Sequence, residues 1–494
     1  MNQKKLAFAT VLACLALPAG AQHSHGTSAA QQSPKSSDPY KYGLFQLHNF
    51  EYASAAEAFR KAQQADPANV MAYWGEAMTY NHPLWDEQDR DAALAVLARL
   101  GATPEIRAAK ARDSREKAWL GAVEALYGDG TKPQRDLAYL ARMQEILASD
   151  PGDVDARAFT GLATLGSSHG GRQIPTYMQA AAILEEGYIT HPRHPGILHY
   201  LIHSYDDSVH APLGLRMARS YAVIAPDAGH AQHMVSHIYN GLGMWADSER
   251  ANTLATAVTN RERAAKNQGP HYCGHYNEWL VYARLQQEKD ARPVIDGCRA
   301  QAEAELAGFK ASGKKGFPSA ASSYGDMALR YGIETGTWLE PLDFSLPFYV
   351  KTRFDFANAR MLASRGNAAQ SAAALAALRT EAAGTIAQIQ QMSAGTDEIT
   401  PWIKAAVAQG EAIAALSGGD PESGLRMLRA AAAAEMDLPP VFGPPAIRKP
   451  SYELLGDVLL ELGRKEEAAA AFRKALAFAP GRRLSLEGLE KSAQ

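Results

Sequence analysis

The sequence predicts an all-α chain built as a solenoid of helix hairpins. Three observations carry that expectation. Alanine makes up about a fifth of the 494 residues, and it has the highest helix propensity and lets helices approach closely. Prolines recur at the ends of apolar-periodic runs, where they stop a helix because they cannot continue its hydrogen-bond ladder. A period near 34 residues shows at both ends of the chain. No run of alternating β-branched residues is long enough for a sheet. The length exceeds one compact core, which suits an array.

Residues 1–21 come first. Two lysines in Asn2–Lys5, an apolar Leu6–Leu17 and the small residues Ala19-Gly20-Ala21 read as a secretory signal peptide. Val11-Leu12-Ala13-Cys14 weakly resembles a lipoprotein box, which is the alternative. Export is expected, to the periplasm or beyond, with no membrane insertion of the mature chain, because no later segment has 18 unbroken apolar residues. Residues 22–38 are polar, small and aperiodic, and read as a flexible leader. Fifty basic and 53 acidic residues leave a net charge of −3. That balance speaks against a nucleic-acid partner, whose binders carry a basic excess.

Residues 39–310 read as the main array. Gly43, Ala55, Phe59, Ala62 and Pro67 recur in kind at the far end as Tyr452, Leu455, Gly456, Leu459, Ala468, Phe472, Ala475 and Pro480. This is the tetratricopeptide pattern: small residues let helices A and B touch, and a proline ends helix B. Single hairpins cannot bury their own apolar face, so neighbours stack. Between the ends, Pro151, Pro192 and Pro226 close B-like runs at 137–148, 177–188 and 213–224. A-like runs follow at 154–165, 196–205 and 228–242, with further hairpins near 244–290 and 291–310. Lys310–Gly316 reads as an exposed loop. Residues 311–437 hold more helical hairpins, at 322–333 and 354–365 among others. Residues 438–450, with five prolines, read as a stiff linker. Residues 451–494 read as a loosely joined last repeat. The fold class is therefore a tetratricopeptide-type helix-hairpin solenoid, a right-handed superhelix.

Cys273 and Cys298 would remain after cleavage. An oxidising compartment permits a bridge between them; two buried thiols are the alternative.

Ten of the fifteen histidines lie between His191 and His275. His199 and His203 share one helix A. His230, His233 and His237 share the next, and His271 and His275 open the one after. The i, i+3 and i, i+4 spacings put imidazoles on one helix face. Asp206 follows His203 by three residues, completing a three-ligand strip. Seven imidazoles without partners would cost several kcal/mol in unsatisfied polar groups. A metal centre on His199, His203, Asp206, His230, His233, His237 and His275 accounts for them; a polar groove or a pH-sensitive surface is the alternative. Neutral imidazole suits copper, zinc and iron. His191, His194 and His210, in turns, read as structural. Trp74 and Trp85 read as core packing. His82, His271 and Glu76 are left open as contributors.

The strings YWGEAM with NHPLW (73–85), HPGILHYLIHSYDDS (194–208) and GHAQHMVSHIYNGLGMWADSERAN (229–252) resemble a large family of exported bacterial tetratricopeptide-repeat proteins. The resemblance spans roughly residues 40–290. It carries His194, His199, His203, Asp206, His230, His233 and His237, with His275-Tyr276-Asn277 matching a later segment. Val235 stands where that family often has proline. The resemblance implies the fold and leaves the substrate open. In this architecture the A helices line a concave groove.

The expected function is a secreted metalloprotein with one or two ions in that groove. Copper is favoured, since copper(II) tops the affinity order of divalent ions; zinc and iron follow. Copper would imply oxidative chemistry on a small molecule or peptide, and zinc a hydrolase. The alternative is a non-catalytic scaffold that binds a peptide or protein partner.

Overall fold

A computed structural model describes residues 37–313, 316–392 and 399–494. The expected signal peptide, and all but the last two residues of the leader, lie outside them. The described residues form 23 α-helices, one short 3-10 turn, and a two-residue ladder pairing Asn81–His82 with Glu87–Gln88. The chain is an all-α helical solenoid, as its composition and punctuation predict.

Local chemistry sets the helix ends. The Asp38 side chain accepts from the backbone N–H groups of Tyr40 and Lys41, and Asp153 caps the helix Val154–Gly166 through Ala156 N–H. Side-chain oxygens there satisfy donors that have no intrahelical partner. The proline-punctuated hairpins fall where expected: Val154–Gly166 with Ile174–Thr190, Pro195–Tyr205 with Ala211–Ile224, and Gly229–Gly241 with Trp245–Ala265. Two ends differ. The run expected from residue 137 starts at Lys132, because Thr131 and Gln134 form a reciprocal capping box. The helix Arg292–Ser312 runs past Lys310 and ends where Gly313 takes a left-handed φ of 63°.

Glycine and phenylalanine set the helix spacing. The Phe59 ring lies against Gly43 and Gly75, and the Phe472 ring against Gly456 and Gly488. A methyl carbon added at Gly75 would sit 2.4 Å from the Phe59 ring, so only glycine fits. Repeats at both ends of the array use the same joint.

The A helices form the inner layer. Gly196 to Tyr205, and Ala231 to Asn240, are buried without interruption. The B helices bury one face only, as in Ala211–Ile224. Of the histidines expected to line an open groove, His199, His203, His233 and His237 are therefore enclosed between helices, while His230 is part-buried and His275 is exposed.

The last repeat is not loosely joined. Trp245 Nε1–H donates to Gly481 O at 2.7 Å, and Arg482 reaches Tyr282, Glu334 and Glu453. The proline-rich segment is packed rather than free-standing. Arg448 pairs with Asp326, Ile447 is buried, and Gly443 (φ 80°) lies against the Trp279 ring. Prolines remove backbone donors here, but charged and aromatic side chains supply the contacts that anchor the strap.

Cys273 and Cys298 form a disulfide. It ties the loop before His275 to the helix Arg292–Ser312 across a separation of 25 residues. Closing a loop of that size stabilises by about 3 kcal/mol in the chain-entropy account. The double variant Cys273→Ser/Cys298→Ser is expected to lose about that much in urea unfolding. A loss below about 1 kcal/mol would show that helix packing alone holds the loop.

Candidate metal centre

Three inner helices carry the seven candidate ligands. Pro195–Tyr205 bears His199 and His203, with Asp206 as its C-cap. Gly229–Gly241 bears His230, His233 and His237, and His275 opens His275–Leu285. The one-turn spacing aligns rings on a helix face, and hairpin stacking brings the faces together. His199, His203 and His230 converge as one group, and His233, His237 and His275 as a second. Within each, one possible ligand atom per residue lies within 4.8 Å of the others. His203, Asp206 and His237 link the two groups within the same limit.

The rings are held from behind. His199 Nδ1–H donates to the backbone carbonyl of His48 at 2.6 Å. His237 Nδ1–H donates to Asp206 Oδ2 at 2.9 Å. His233 Nδ1 lies 2.7 Å from Asn252 Oδ1, and the Asn252 amide nitrogen is committed to Ser248 O, so the imidazole is the donor. In all three, the Nδ1 proton leaves an Nε2 lone pair facing inward. Metal-ligating histidines are oriented in this way, by a carboxylate, carbonyl or amide behind the ring.

The inward atoms meet closely. His233 Nε2 and His237 Nε2 are 3.1 Å apart, and His199 Nε2 and His230 Nε2 are 3.2 Å apart. Two lone pairs at that separation repel unless a proton or a metal ion lies between them. Imidazole nitrogens bound to one tetrahedral zinc at 2.0–2.1 Å would be separated by about 3.3 Å. His203 Nε2 is buried with no hydrogen-bond partner among the described residues, an open donor position in the first group.

Electrostatics favour the neutral form of five of these rings. Burial, reinforced by neighbouring imidazoles, holds His199, His230 and His233 well below the ordinary histidine pKa. Burial also lowers His203, against the pull of Asp206. His275, though exposed toward the cavity, is also lowered by desolvation at the wall. Neutral imidazole is the form that binds metal. Burial alone would raise the Asp206 carboxyl, but Arg172 and the hydrogen bonds from His203 and His237 outweigh it and hold it well below the usual range. Both Asp206 oxygens are engaged, Oδ1 by Arg172 and Oδ2 by His237.

A cavity of about 810 Å³ opens over the centre. His203, His230, His233, His237 and His275 reach its wall, together with Trp85, Phe317 and Phe442.

The remaining candidates are placed elsewhere. His48, Asp155 and His194 form a third cluster, but its nitrogens are spent. His48 Nδ1 accepts from Tyr200 OH, His194 Nδ1 accepts from Ile197 N–H, and both Nε2–H groups donate to Asp155. That is a hydrogen-bond network. His194→Ala is therefore expected to cost about 1–2 kcal/mol, for one cap and one hydrogen bond, without reducing metal loading. Loss of metal from this variant, measured by elemental analysis, would move the centre to His48 and Asp155. His82 stacks on Tyr52 and bonds Thr79 O and Glu87. Glu76 pairs with Arg60 and Arg99. His271 lines the cavity but joins neither three-histidine group. Trp85 is not core: it is 47% exposed and borders the cavity, while Trp74 is buried as expected.

Asn252, Arg172 and Phe442 are missing from the sequence reading. Each lies on a different element from its partner, Asn252 on the next helix of the same hairpin and Arg172 and Phe442 farther off in sequence. Asn252 is on a B helix, Arg172 is in a loop, and Phe442 sits in the proline-rich segment with its ring stacked 5.2 Å from His237. Only the Phe442 type, a lone aromatic among prolines, is a visible signal.

A tetratricopeptide-repeat family model matches residues 450–482. This is the helix pair Ser451–Glu461 and Lys465–Phe478, so the chain carries a tetratricopeptide repeat at its C-terminal end. No curated protein matches the chain.

Proposed function

We propose that this chain is an exported metalloprotein whose inner histidines hold a two-ion centre. His199, His203 and His230 would take one ion, and His233, His237 and His275 the other. Asp206, His48 O and Asn252 would orient the rings. One observation supports this reading above the rest: the facing Nε2 atoms of His233 and His237, both with their Nδ1 protons committed, beside His275. A shared proton serves two nitrogens; a metal ion serves three.

Copper is the favoured ion, because an all-imidazole donor set suits it and copper(II) leads the divalent affinity order. Bound copper would supply oxidative chemistry to a molecule in the cavity; bound zinc would instead lower the pKa of a water and supply hydrolysis. The chain's own part is to hold neutral, oriented imidazoles and to enclose the reacting molecule away from bulk water. Both Asp206 oxygens are occupied, so its role in this scheme is to position His237 and to balance Arg172.

A second reading follows from the tetratricopeptide match, because such repeats commonly bind proteins or peptides. In that case the histidines are polar lining. Elemental analysis of the mature chain purified from its exported fraction separates the two. About two ions per chain, falling to about one in His199→Ala/His203→Ala, is expected. Metal-free protein that cannot be loaded would favour the scaffold.

A further inference from the structure

The cavity over the histidines has an unusual rim. Enclosed polar groups make its floor, yet large aromatic rings are left exposed around it. Trp85, Phe317 and Phe442 are 47%, 73% and 44% exposed, and all three border the same space. Exposed aromatic surface gathered at one concave site marks a binding site rather than ordinary surface scatter.

The rings are also ordered relative to the histidines. Phe442 stacks on His237 with planes 15° apart, Tyr276 stacks on His233 with centroids 4.7 Å apart, and Trp85 meets His230 edge-on. Three aromatic side chains thus contact three different imidazoles and face the same volume. At about 810 Å³ it has room for a ligand of drug-like size.

The charge of the wall narrows the class. Among the described residues no lysine or glutamate lines it, and the two fixed charges there, Arg172 and Asp206, are paired with each other. Besides the histidines and the hydroxyls of Tyr177 and Tyr276, its polar groups are the uncharged Thr256, Thr259, Asn260 and Asn277. In the metal-free chain a charged ligand would lose its hydration here without gaining an opposite charge. An aromatic ring gains both apolar burial and offset or edge-on ring contacts.

We propose that this cavity binds a small uncharged aromatic molecule, its ring held among Trp85, Phe317 and Phe442 and its polar substituent turned toward the histidines. The substituent's direction rests on the metal reading; the ring site does not.

Calorimetric titration of the metal-free mature chain with 2-naphthol tests the ring site. Saturable binding at one site is expected, with decahydro-2-naphthol and naphthalene-2-sulfonate at least tenfold weaker. Trp85→Ala and Phe442→Leu should each weaken 2-naphthol binding by about three- to tenfold. Both positions are substantially exposed, so folding should survive. Absence of saturable binding, equal binding of the saturated analogue, or unchanged affinity in both variants would overturn the proposal. Metal content is assayed separately, so a chain that binds 2-naphthol but takes up no metal would refute the metal reading alone.

Discussion

Replacing His237 with alanine is expected to remove the second group's share of the stabilisation that metal gives to the wild-type chain. An ion bound only by the folded state stabilises by RT ln(1 + [L]/Kd), about 4 kcal/mol at a thousandfold excess over Kd. His237 stands at the junction of the two groups. Its Nε2 faces His233 Nε2, its Nδ1–H is held by Asp206, and its ring is 5.7 Å from that of His203. Removing it takes one ligand from the second group and frees Asp206 from its orienting bond. Unfolding in urea, with and without copper(II) or zinc(II), measures the effect. A metal-induced shift in wild type that is clearly reduced in His237→Ala, with His194→Ala retaining it in full, is the expected pattern. The same shift in all three chains would place the bound ion elsewhere.

Replacing Arg482 with methionine is expected to cost about 3–5 kcal/mol, the usual penalty for stranding buried charges. Arg482 and Glu453 are both 0% exposed. The guanidinium bonds Glu453 twice, at 2.7 and 2.9 Å, pairs with Glu334 at 2.7 Å, and donates to Tyr282 OH. Lys449 still reaches Glu453 at 3.0 Å, but Glu334 keeps only Arg483. The same cluster sets an acid limit. Burial alone would raise Glu453, but Arg482 and then Lys449 outweigh it and hold its pKa at about 2. A carboxyl lowered on folding contributes stability that is fully present above its unfolded pKa, near 4.3, and is lost as pH falls toward 2. Urea unfolding at pH 7 and pH 3 should therefore show a smaller Arg482→Met penalty at the lower pH. A penalty below 1 kcal/mol at pH 7 would mean that the C-terminal repeat is joined by apolar packing alone.

This joint shows where the sequence stops being legible. The last repeat is readable because its determinants are local: Gly456, Phe472 and Pro480 fall at fixed offsets within one hairpin. Its docking is not, because Trp245 meets Gly481, and Arg482 meets Tyr282, across about two hundred residues. Five prolines predict the absence of helix in 438–450, and that is how the segment is built. They carry no information about where Phe442 and Arg448 land. The same division holds at the centre. One-turn spacing on two helices is enough to single out His199, His203, His233 and His237. It also leaves out His194, read as structural in its turn, but does not give that residue's partner: the hydrogen bond to Asp155 depends on a different hairpin. Nor does spacing give the ring tautomers, which Asn252, Asp206 and the His48 carbonyl fix from behind. Trp85 misleads because an apolar residue after a helix usually packs inward. Here it lies within a tight turn, next to Asp86 at a φ of 55°, and stays at the cavity mouth.

The central claim is that two groups of three imidazoles each hold an ion. Anomalous diffraction from crystals of the mature, metal-loaded chain, recorded on either side of the metal's absorption edge, tests it most directly. The account predicts two peaks, each about 2.0–2.1 Å from imidazole nitrogens. One should lie among His199, His203 and His230, and the other among His233, His237 and His275. A loaded chain with no anomalous peak within reach of these six rings would contradict it.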